Sequence, residues 1–235
     1  MDFTNKVVVI TGGARGIGRA MAEAFEQAGA QVAIIDIIEN DYFVGDIANP
    51  EILESFHGKV IKDFGHIDFL INNAMPLFKG IDNCSYEQFN YALQVGVSAP
   101  FYLTKLFLDN FTTTGAIVNI SSSRDRMSQP QSESYTSAKG AISALTRSLA
   151  ISLGGRVRVN SVSPGWIDTK NQDHQGPDAS QHPVRRVGKP EDIVNAVMFL
   201  CDEKAGFITG EDICVDGGMT KLMIYHDDFG WTYNE

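Results

Sequence analysis

The chain has 235 residues, a net charge of −10 and a hydrophobic fraction of 43%. This length allows one or two domains, and the apolar content is sufficient for a sizeable core and argues against global disorder. A chain this acidic lacks the positive charge that binds DNA or RNA. We expect no membrane span and no secretory signal, because the sequence has neither a long apolar run nor a basic start followed by one.

The number and spacing of the cysteines indicate whether the protein works in a reducing or an oxidising compartment. Cys84, Cys201 and Cys214 are odd in number and far apart. We interpret them as buried thiols of a reducing cytoplasm, not as disulfide partners or zinc ligands. The histidines show no ligand spacing either, so we expect them on the surface or in loops and predict no metal site.

Strand-like and helix-like segments alternate along the chain. The apolar or β-branched runs that predict strands are 6–11, 31–36, 42–45, 67–71, 116–121, 156–162 and 213–215. The segments with helical spacing are 19–28, 50–64, 85–110, 134–153 and 191–201. Strands that are apolar on both faces and alternate with helices predict an α/β fold, a doubly wound parallel Rossmann sheet of about seven strands with helices on both faces.

Two stretches lack a regular pattern. Residues 170–189 are polar and irregular, which is typical of a functional lid or a disordered segment. We assign residues 1–220 to one domain and treat 221–235 as a C-terminal extension. Because the extension is rich in large apolar side chains, we expect it to pack on the domain or on a neighbouring subunit, with Phe229 and Trp231 near a substrate pocket. Its large side chains are Leu222, Met223, Ile224, Tyr225, Phe229, Trp231 and Tyr233.

The first strand runs directly into a glycine-rich turn, TGGARGIG at 11–18, and a helix follows. Glycines let the backbone approach a pyrophosphate, and the helix N-terminus offers free N–H groups and a partial positive charge. The spacing G-x3-G-x-G differs from the usual dinucleotide motif, and a plain tight turn is the alternative. The strand before it, the helix after it and an acidic residue further on favour dinucleotide binding.

The acidic residue is Asp36, which ends the second strand 18 residues after Gly18. A carboxylate there can accept hydrogen bonds from the adenosine ribose hydroxyls and repels a 2′-phosphate. Asp36 therefore predicts NAD and not NADP. Arg15, in the glycine turn, is the competing signal, because its guanidinium could contact a phosphate or form a surface ion pair.

Three residues predict catalysis. Tyr135 and Lys139 are four apart on a predicted helix, so they share one face. Ser122 follows the 116–121 strand, at the carboxyl edge of the sheet where ligands bind. Ser122 can donate a hydrogen bond to a carbonyl oxygen that accepts hydride, and Tyr135 can donate the proton. A nearby lysine cation, together with an oxidised nicotinamide, is expected to lower the tyrosine pKa.

Together these motifs resemble the short-chain dehydrogenase/reductase family, in its shorter single-domain branch. The matching pieces, in family order, are TGGARGIG (11–18), Asp46, NNA (72–74), Ser122, YTSAK (135–139), PGWIDT (164–169), ITG (208–210) and VDGG (215–218). The resemblance implies an NAD-dependent oxidoreductase that interconverts a secondary alcohol and a ketone. It also implies a small-molecule substrate and a homo-oligomer, a tetramer or dimer, with long helices paired across interfaces.

The resemblance also assigns roles to individual residues. Adenine contacts would come from Asp46 and Ile47, and Lys139 would also hold the nicotinamide ribose. The full set expected to bind the cofactor is Gly12, Arg15, Gly16, Ile17, Gly18, Asp36, Asp46, Ile47, Asn73, Ala74, Tyr135, Lys139, Pro164, Ile167 and Thr169.

The sequence departs from the family pattern at three places. Met75 follows NNA where the family usually has glycine, and its side chain could narrow the cofactor channel. Gly96 stands where the family has a catalytic asparagine that fixes a helix kink and a water-binding carbonyl. Residues 37–40 are too few for the helix that normally joins the second and third strands, which would open one side of the adenosine site.

Several alternatives stay open on sequence alone. Arg124, Asp125 and Arg126 either orient a polar or anionic substrate or form a salt-bridged loop. Trp166 either walls the pocket or packs under the lid. The competing functions are a non-catalytic dinucleotide-binding or sensor protein, and an enoyl reductase or cofactor-free lyase of the same fold.

Overall fold

The computed structural model describes residues 1–232; Tyr233, which belongs to the predicted extension, lies outside the described residues with 234 and 235. One sheet of seven parallel strands runs in the order β3-β2-β1-β4-β5-β6-β7, which confirms the predicted Rossmann architecture. Its strands are β1 (Val7–Thr11), β2 (Gln31–Asp36), β3 (Phe43–Val44), β4 (Ile67–Asn72), β5 (Phe111–Ile120), β6 (Arg158–Pro164) and β7 (Asp212–Val215). The direction of winding reverses between β1 and β4, and ligands bind at such switch points.

Helices cover both faces of the sheet and create two cores. They are α1 (Gly16–Gln27), α2 (Pro50–Phe64), α3 (Tyr86–Leu93), α4 (Ala99–Phe107), α5 (Glu133–Ser152), α6 (Pro177–Ser180) and α7 (Pro190–Cys201). Val7 and Val9 point into the core shared with α2, α4 and α5, whereas Val8 and Ile10 point into the core shared with α1 and α7. Each strand residue is buried on one face or the other, which is why β1 is an unbroken apolar run.

The ends of α2 show how local sequence sets helix boundaries. The Asn49 side chain accepts a hydrogen bond from the Glu51 N–H at 2.9 Å, and Pro50 occupies the first helical position. Gly65 ends the helix at φ 77°, in the left-handed region that favours glycine. The helix therefore spans the residues that the sequence predicts.

The predicted single helix over 85–110 is wrong in its middle. A π-helical turn, Gln94–Ser98, separates α3 from α4, and a 3-10 turn, Leu108–Asn110, follows. Pro100 has no N–H, so the α-helical hydrogen bond to the Gly96 carbonyl cannot form. The helix widens at this position, and the helical periodicity of the sequence does not reveal the change.

The predicted start of β5 at 116 is also too late, because the strand begins at Phe111. A buried carboxylate, Asp68, holds this end of the sheet together. It accepts hydrogen bonds from the Val7 N–H at 2.9 Å, the Thr112 hydroxyl at 2.7 Å and the Lys6 ammonium at 3.1 Å. Residues 111–114 thus join the sheet through polar contacts that the apolar pattern does not show.

The structure also bears on the link between β2 and β3, on the cysteines and on membrane-spanning helices. No helix joins β2 to β3, as predicted; instead the Asn40 carboxamide oxygen accepts hydrogen bonds from the N–H groups of Tyr42 and Phe43. All three cysteines are free thiols, but only Cys201 is buried, and Cys84 and Cys214 are half-buried. Within residues 1–232, no helix is long and apolar enough to cross a membrane.

The C-terminal extension runs over the surface. Tyr225 and Asp228 exchange backbone and side-chain hydrogen bonds, and a compact turn results in which Phe229 is 87% exposed. None of residues 221–232 lines the cleft described below. Packing on a neighbouring subunit is the part of the expectation that stays a prediction.

Candidate active site

One cleft of about 660 Å³ opens at the carboxyl edge of the sheet. Every residue that the sequence predicts for the site lines it. The set comprises Gly12, Arg15, Gly16, Ile17, Gly18, Asp36, Asp46, Ile47, Asn73, Ala74, Ser122, Tyr135, Lys139, Pro164, Ile167 and Thr169. Such a volume is in the range that holds a small molecule or cofactor. The individual roles of these residues stay predictions.

The glycine turn forms a cradle in which side chains would collide with neighbouring backbone atoms. A Cβ on Gly18 would lie 2.0 Å from the Gly12 carbonyl oxygen, and a Cβ on Gly12 would lie 2.7 Å from the Ala74 Cα. Gly12 also has a φ of +67°, which L side chains rarely adopt. The Asn73 carboxamide holds the turn from behind, donating to the carbonyl oxygens of Thr11 at 3.1 Å and Gly12 at 2.8 Å.

The helix N-terminus at this turn is suited to an anion. The twelve-residue helix α1 starts at Gly16, and no side chain caps its first N–H groups. These donors face the region where the glycine turn lets a ligand approach, and the helix dipole adds positive potential. Together with the cradle, they fit the pyrophosphate of a dinucleotide.

Asp36 and Arg15 lie at the same end of the cleft, but Asp36 is buried and hydrogen-bonded whereas Arg15 is exposed. The Asp36 carboxylate is buried and is held by the N–H groups of Ala14 at 3.0 Å and Ile38 at 3.1 Å. These bonds fix its position and leave lone pairs for further donors. The Arg15 side chain is exposed, and no hydrogen bond or ion pair within residues 1–232 holds it.

Tyr91 is a cleft residue that the sequence does not single out. Its hydroxyl donates to Asp46 at 3.1 Å, while the other Asp46 oxygen accepts from the Ala48 N–H at 2.9 Å. Burial raises the pKa of Tyr91, and the Asp46 charge adds to the effect. Tyr91 therefore remains a neutral donor that positions Asp46. Only its place on the helical face of α3 could have indicated this role.

The catalytic candidates come together as predicted from their spacing. Ser122 accepts a hydrogen bond from the Arg124 N–H at 3.2 Å, and its hydroxyl acts to lower the pKa of Tyr135. Lys139 is buried, and its ammonium donates to the Ile120 carbonyl at 2.6 Å, 5.5 Å from the Tyr135 ring centre. The end of β5 and one face of α5 therefore supply the whole trio.

The titration of these groups differs from the expectation. Burial raises the pKa of Tyr135, and the Ser122 hydroxyl and the Arg124 charge only partly oppose it. Burial also lowers the pKa of Lys139 to about 8. The expected lowering of the tyrosine pKa is wrong for the protein by itself, because desolvation outweighs every charge that the chain supplies.

The structure decides part of the question whether Arg124, Asp125 and Arg126 orient a substrate or form a salt-bridged loop. Arg126 binds Asp125 at 2.7 Å and also contacts Asp212, so these residues form the salt-bridged loop. Arg124 instead stacks on the Phe78 ring at 4.9 Å, and Phe78 packs against the Tyr135 ring at 5.2 Å. The two arginines of one short loop thus have different environments.

Trp166 packs under the lid. Its ring contacts His174 at 4.9 Å and lies 6.2 Å from His182, both within residues 170–189. Trp166 does not line the cleft. Of the two interpretations left open by the sequence, the packing role fits these contacts.

The departures at Met75 and Gly96 have distinct structural effects. The Met75 side chain lines the cleft but is 69% exposed, so it lies at the rim. Gly96 is buried in the π-helical turn, where an added Cβ would lie 2.7 Å from the Ala138 Cβ and 3.3 Å from the Pro76 Cβ. Glycine at 96 thus permits close packing of this turn against α5, next to Lys139.

Comparison with known proteins gives the family. A family model described as enoyl-(acyl carrier protein) reductase matches residues 12–220. The chain is 36% identical to an uncharacterized oxidoreductase of Thermotoga maritima, over 94% of this chain and 98% of that one. It is 33% identical to L-fucose dehydrogenase of Mus musculus, over 92% and 89%. An apo SCOR enzyme from Clostridium thermocellum is 43% identical and superposes with a TM-score of 0.93, over 99% of this chain and 100% of that one. The chain belongs to the short-chain dehydrogenase/reductase family of oxidoreductases, which use a nicotinamide dinucleotide.

Proposed function

We propose that this protein transfers a hydride between NAD(H) and a secondary alcohol or ketone through Ser122, Tyr135 and Lys139. The observation that carries the proposal is that Ser122, Tyr135 and the buried Lys139 line one cleft, whose glycine turn and helix N-terminus fit a dinucleotide. A nicotinamide, when bound, supplies the hydride or accepts it. The remaining steps belong to the side chains of the chain.

Each member of the trio has a separate task. The Ser122 hydroxyl donates a hydrogen bond to the carbonyl oxygen as negative charge develops there. Tyr135 gives its phenolic proton to that oxygen in reduction and takes it back in oxidation. Lys139, when protonated, favours the tyrosinate that remains. Because burial raises the pKa of Tyr135, the phenol is protonated at neutral pH and is ready to act as the acid.

NAD is the proposed cofactor because Asp36 is fixed in the cleft. Two backbone N–H groups hold its carboxylate where it would repel a 2′-phosphate. The unpartnered Arg15 favours NADP in the same place, so cofactor choice depends on which of the two faces the ribose.

Three other functions are compared with this proposal. The description of the matching family model suggests an enoyl reductase, whereas the Tyr-x3-Lys spacing suits carbonyl chemistry. A non-catalytic dinucleotide-binding protein would bind the cofactor but turn over no substrate. A cofactor-free lyase is disfavoured by the uncapped helix N-terminus at the glycine turn and by Asp36, which together suit a dinucleotide.

We also propose a homo-oligomer in a reducing compartment such as the cytoplasm. The free thiols of Cys84, Cys201 and Cys214 support the compartment. The exposed apolar side chains of the extension, Phe229 above all, support an interface between subunits.

The test is a panel of alcohols, polyols, hydroxy acids, steroids and an enoyl thioester with each nicotinamide cofactor, read by the absorbance of the reduced nicotinamide. Tyr135→Phe removes only the transferable proton, so it should abolish turnover and leave NAD affinity intact. Tyr86→Phe, at an exposed tyrosine on α3, is the matched control and should change neither. Appreciable turnover by Tyr135→Phe, or reduction of the enoyl thioester alone, contradicts the mechanism.

Cofactor choice has its own variant. Asp36→Ala should weaken NAD binding and relax the discrimination against NADP, because it removes the repulsion of the 2′-phosphate. If the wild type binds NADP more tightly than NAD, Arg15 is the dominant group and the assignment of Asp36 is wrong.

A further inference from the structure

Arg124 carries a positive charge close to the catalytic trio, just outside the residues that line the cleft, and no part of the proposed mechanism uses it. Its backbone N–H donates to the Ser122 hydroxyl oxygen at 3.2 Å. Its guanidinium lies over the Phe78 ring, which in turn packs on the Tyr135 ring. The same charge also lowers the pKa of Tyr135 against the effect of burial. Arg124 is therefore coupled to the reacting hydroxyl groups through its backbone and its side chain.

The guanidinium has unused hydrogen-bonding capacity. One arm donates to the carboxamide oxygen of Gln129, a neutral and exposed side chain. The other terminal nitrogen, Nη1, is buried and has no hydrogen-bond partner among the described residues. A buried donor of a charged group is costly to leave without an acceptor.

The acidic residues around Arg124 are already engaged. Asp125 accepts hydrogen bonds from Arg126 and from the Ser143 hydroxyl. Asp212 binds Ser161, Ser163 and Arg126, and Glu133 accepts from the Ile81 N–H. Within residues 1–232, no carboxylate pairs with Arg124. In a chain with 29 acidic and 19 basic residues, such an arginine beside the active site is unusual.

Arg126 is the internal comparison. It lies two residues further along the same loop, and two carboxylates neutralise it. The Arg124 guanidinium differs, because its side-chain contacts are the Phe78 ring and the neutral amide of Gln129. The fold thus leaves the Arg124 guanidinium able to bind an acceptor from outside the chain.

Resting on the proposed function, we propose that Arg124 binds an anionic group of the substrate, so that the substrate is a hydroxy or keto compound that carries a carboxylate or a phosphate. A guanidinium binds either group through paired hydrogen bonds and is always charged. The incoming anion displaces the neutral Gln129 from Nη2, and the guanidinium shifts so that the buried Nη1 also reaches it. Because Arg124 is close to Ser122, the anionic group that it binds belongs to the same molecule as the carbon that gives or takes the hydride.

The test compares matched pairs that differ in charge: 3-hydroxybutyrate with its methyl ester, and glycerol 3-phosphate with glycerol. For the wild type, kcat/KM should favour the anionic member of at least one pair by about tenfold or more. Arg124→Gln should lower kcat/KM for that anion by about 10- to 100-fold and change the neutral member by less than about threefold. Arg126→Gln is the control, and it should leave the ratio of the two rates unchanged.

A fall of equal size on the charged and the neutral member overturns the proposal and makes Arg124 a positioning residue that acts through Tyr135. In that case the alkaline limb of the pH profile shifts as well. Arg124→Lys, which keeps the charge, should retain part of the preference for the anion. Thermal melts of each variant exclude unfolding as the cause.

Binding separates this proposal from the proposed function. Calorimetric titration of 3-hydroxybutyrate and glycerol 3-phosphate into the NAD-saturated protein needs no turnover. Binding of either anion by the wild type and not by Arg124→Gln supports the anion site even if no substrate is oxidised. Turnover without any preference for the anion, or the absence of binding by both probes, overturns the anion site and leaves the proposed hydride transfer to its own test.

Discussion

Substitution of Gly96 by alanine tests how tightly the π-helical turn packs on the catalytic helix. The new Cβ would lie 2.7 Å from the Ala138 Cβ, whereas carbon atoms in contact are about 3.5–4.0 Å apart. Neither partner is the end of a flexible side chain, so the turn or α5 must move by about 1 Å. Overpacking of this kind costs about 1–3 kcal/mol. For a chain of this size we expect the melting temperature to fall by about 2–12 °C.

The displaced residue is next to Lys139, so activity should fall as well. A shift of Ala138 moves the ammonium away from the Ile120 carbonyl, to which it donates at 2.6 Å. We expect kcat to decrease more than KM increases, because the change affects proton handling and not the entrance of the cleft. Thermal melts and steady-state kinetics with the best substrate of the panel give both values.

Two further variants isolate the steric cause. Gly58→Ala, at an exposed position of α2 with nothing within 4 Å, should stabilise the protein by about 0.5–1 kcal/mol, which is the gain in helix propensity. Ala138→Gly removes the opposing Cβ, so the double variant should lose less stability than the sum of the two single losses. A Gly96→Ala protein that melts at the wild-type temperature, or strictly additive losses, would refute the packing argument.

Two other predictions follow from burial and exposure. Because burial lowers the pKa of Lys139 to about 8 from its ordinary value of 10.5, the unfolded chain binds more protons between these values. The free energy of unfolding of the wild type, relative to that of Lys139→Met, should therefore rise with pH by at most about 1.4 kcal/mol per pH unit. If the difference between the two proteins stays constant from pH 8 to 10, burial does not lower the pKa of Lys139. Deletion of residues 221–235 should leave NAD affinity intact but reduce oligomer mass or substrate affinity, because it removes exposed side chains such as Phe229. Unchanged mass and kinetics would make the extension a bystander.

The sheet could be predicted from the sequence because each strand has a local signal. Val7 to Ile10 are all apolar because alternate residues enter two different cores, and this burial on both faces distinguishes a central parallel strand. The positions of Ser122 and Asp36 at strand ends could be predicted for the same reason, since parallel strands present their carboxyl ends at one edge. Features that depend on strand direction and on the alternation of strands with helices could therefore be predicted from the sequence.

The missed features depend on partners far away in the sequence. Residues 111–114 join the sheet because Thr112 reaches Asp68, 44 residues earlier, and no local pattern shows this. The raised pKa of Tyr135 results from burial by several elements, whereas the sequence shows only the lysine four residues away. Likewise, Arg124 and Arg126 look alike in the sequence, and only the fold gives one of them acidic partners.

The loss of the family asparagine at 96 carries less weight once the backbone is considered. In an α-helix the carbonyl of residue 96 would accept a hydrogen bond from the N–H of residue 100, but Pro100 has none. The π-helical turn Gln94–Ser98 includes Gly96, so the altered backbone is present here without an asparagine side chain. Glycine then serves a different purpose, which is to let the turn approach Ala138 and hold α5 close. The sequence argument for a non-catalytic protein rests on Gly96 and Met75, and the backbone weakens the part that depends on Gly96.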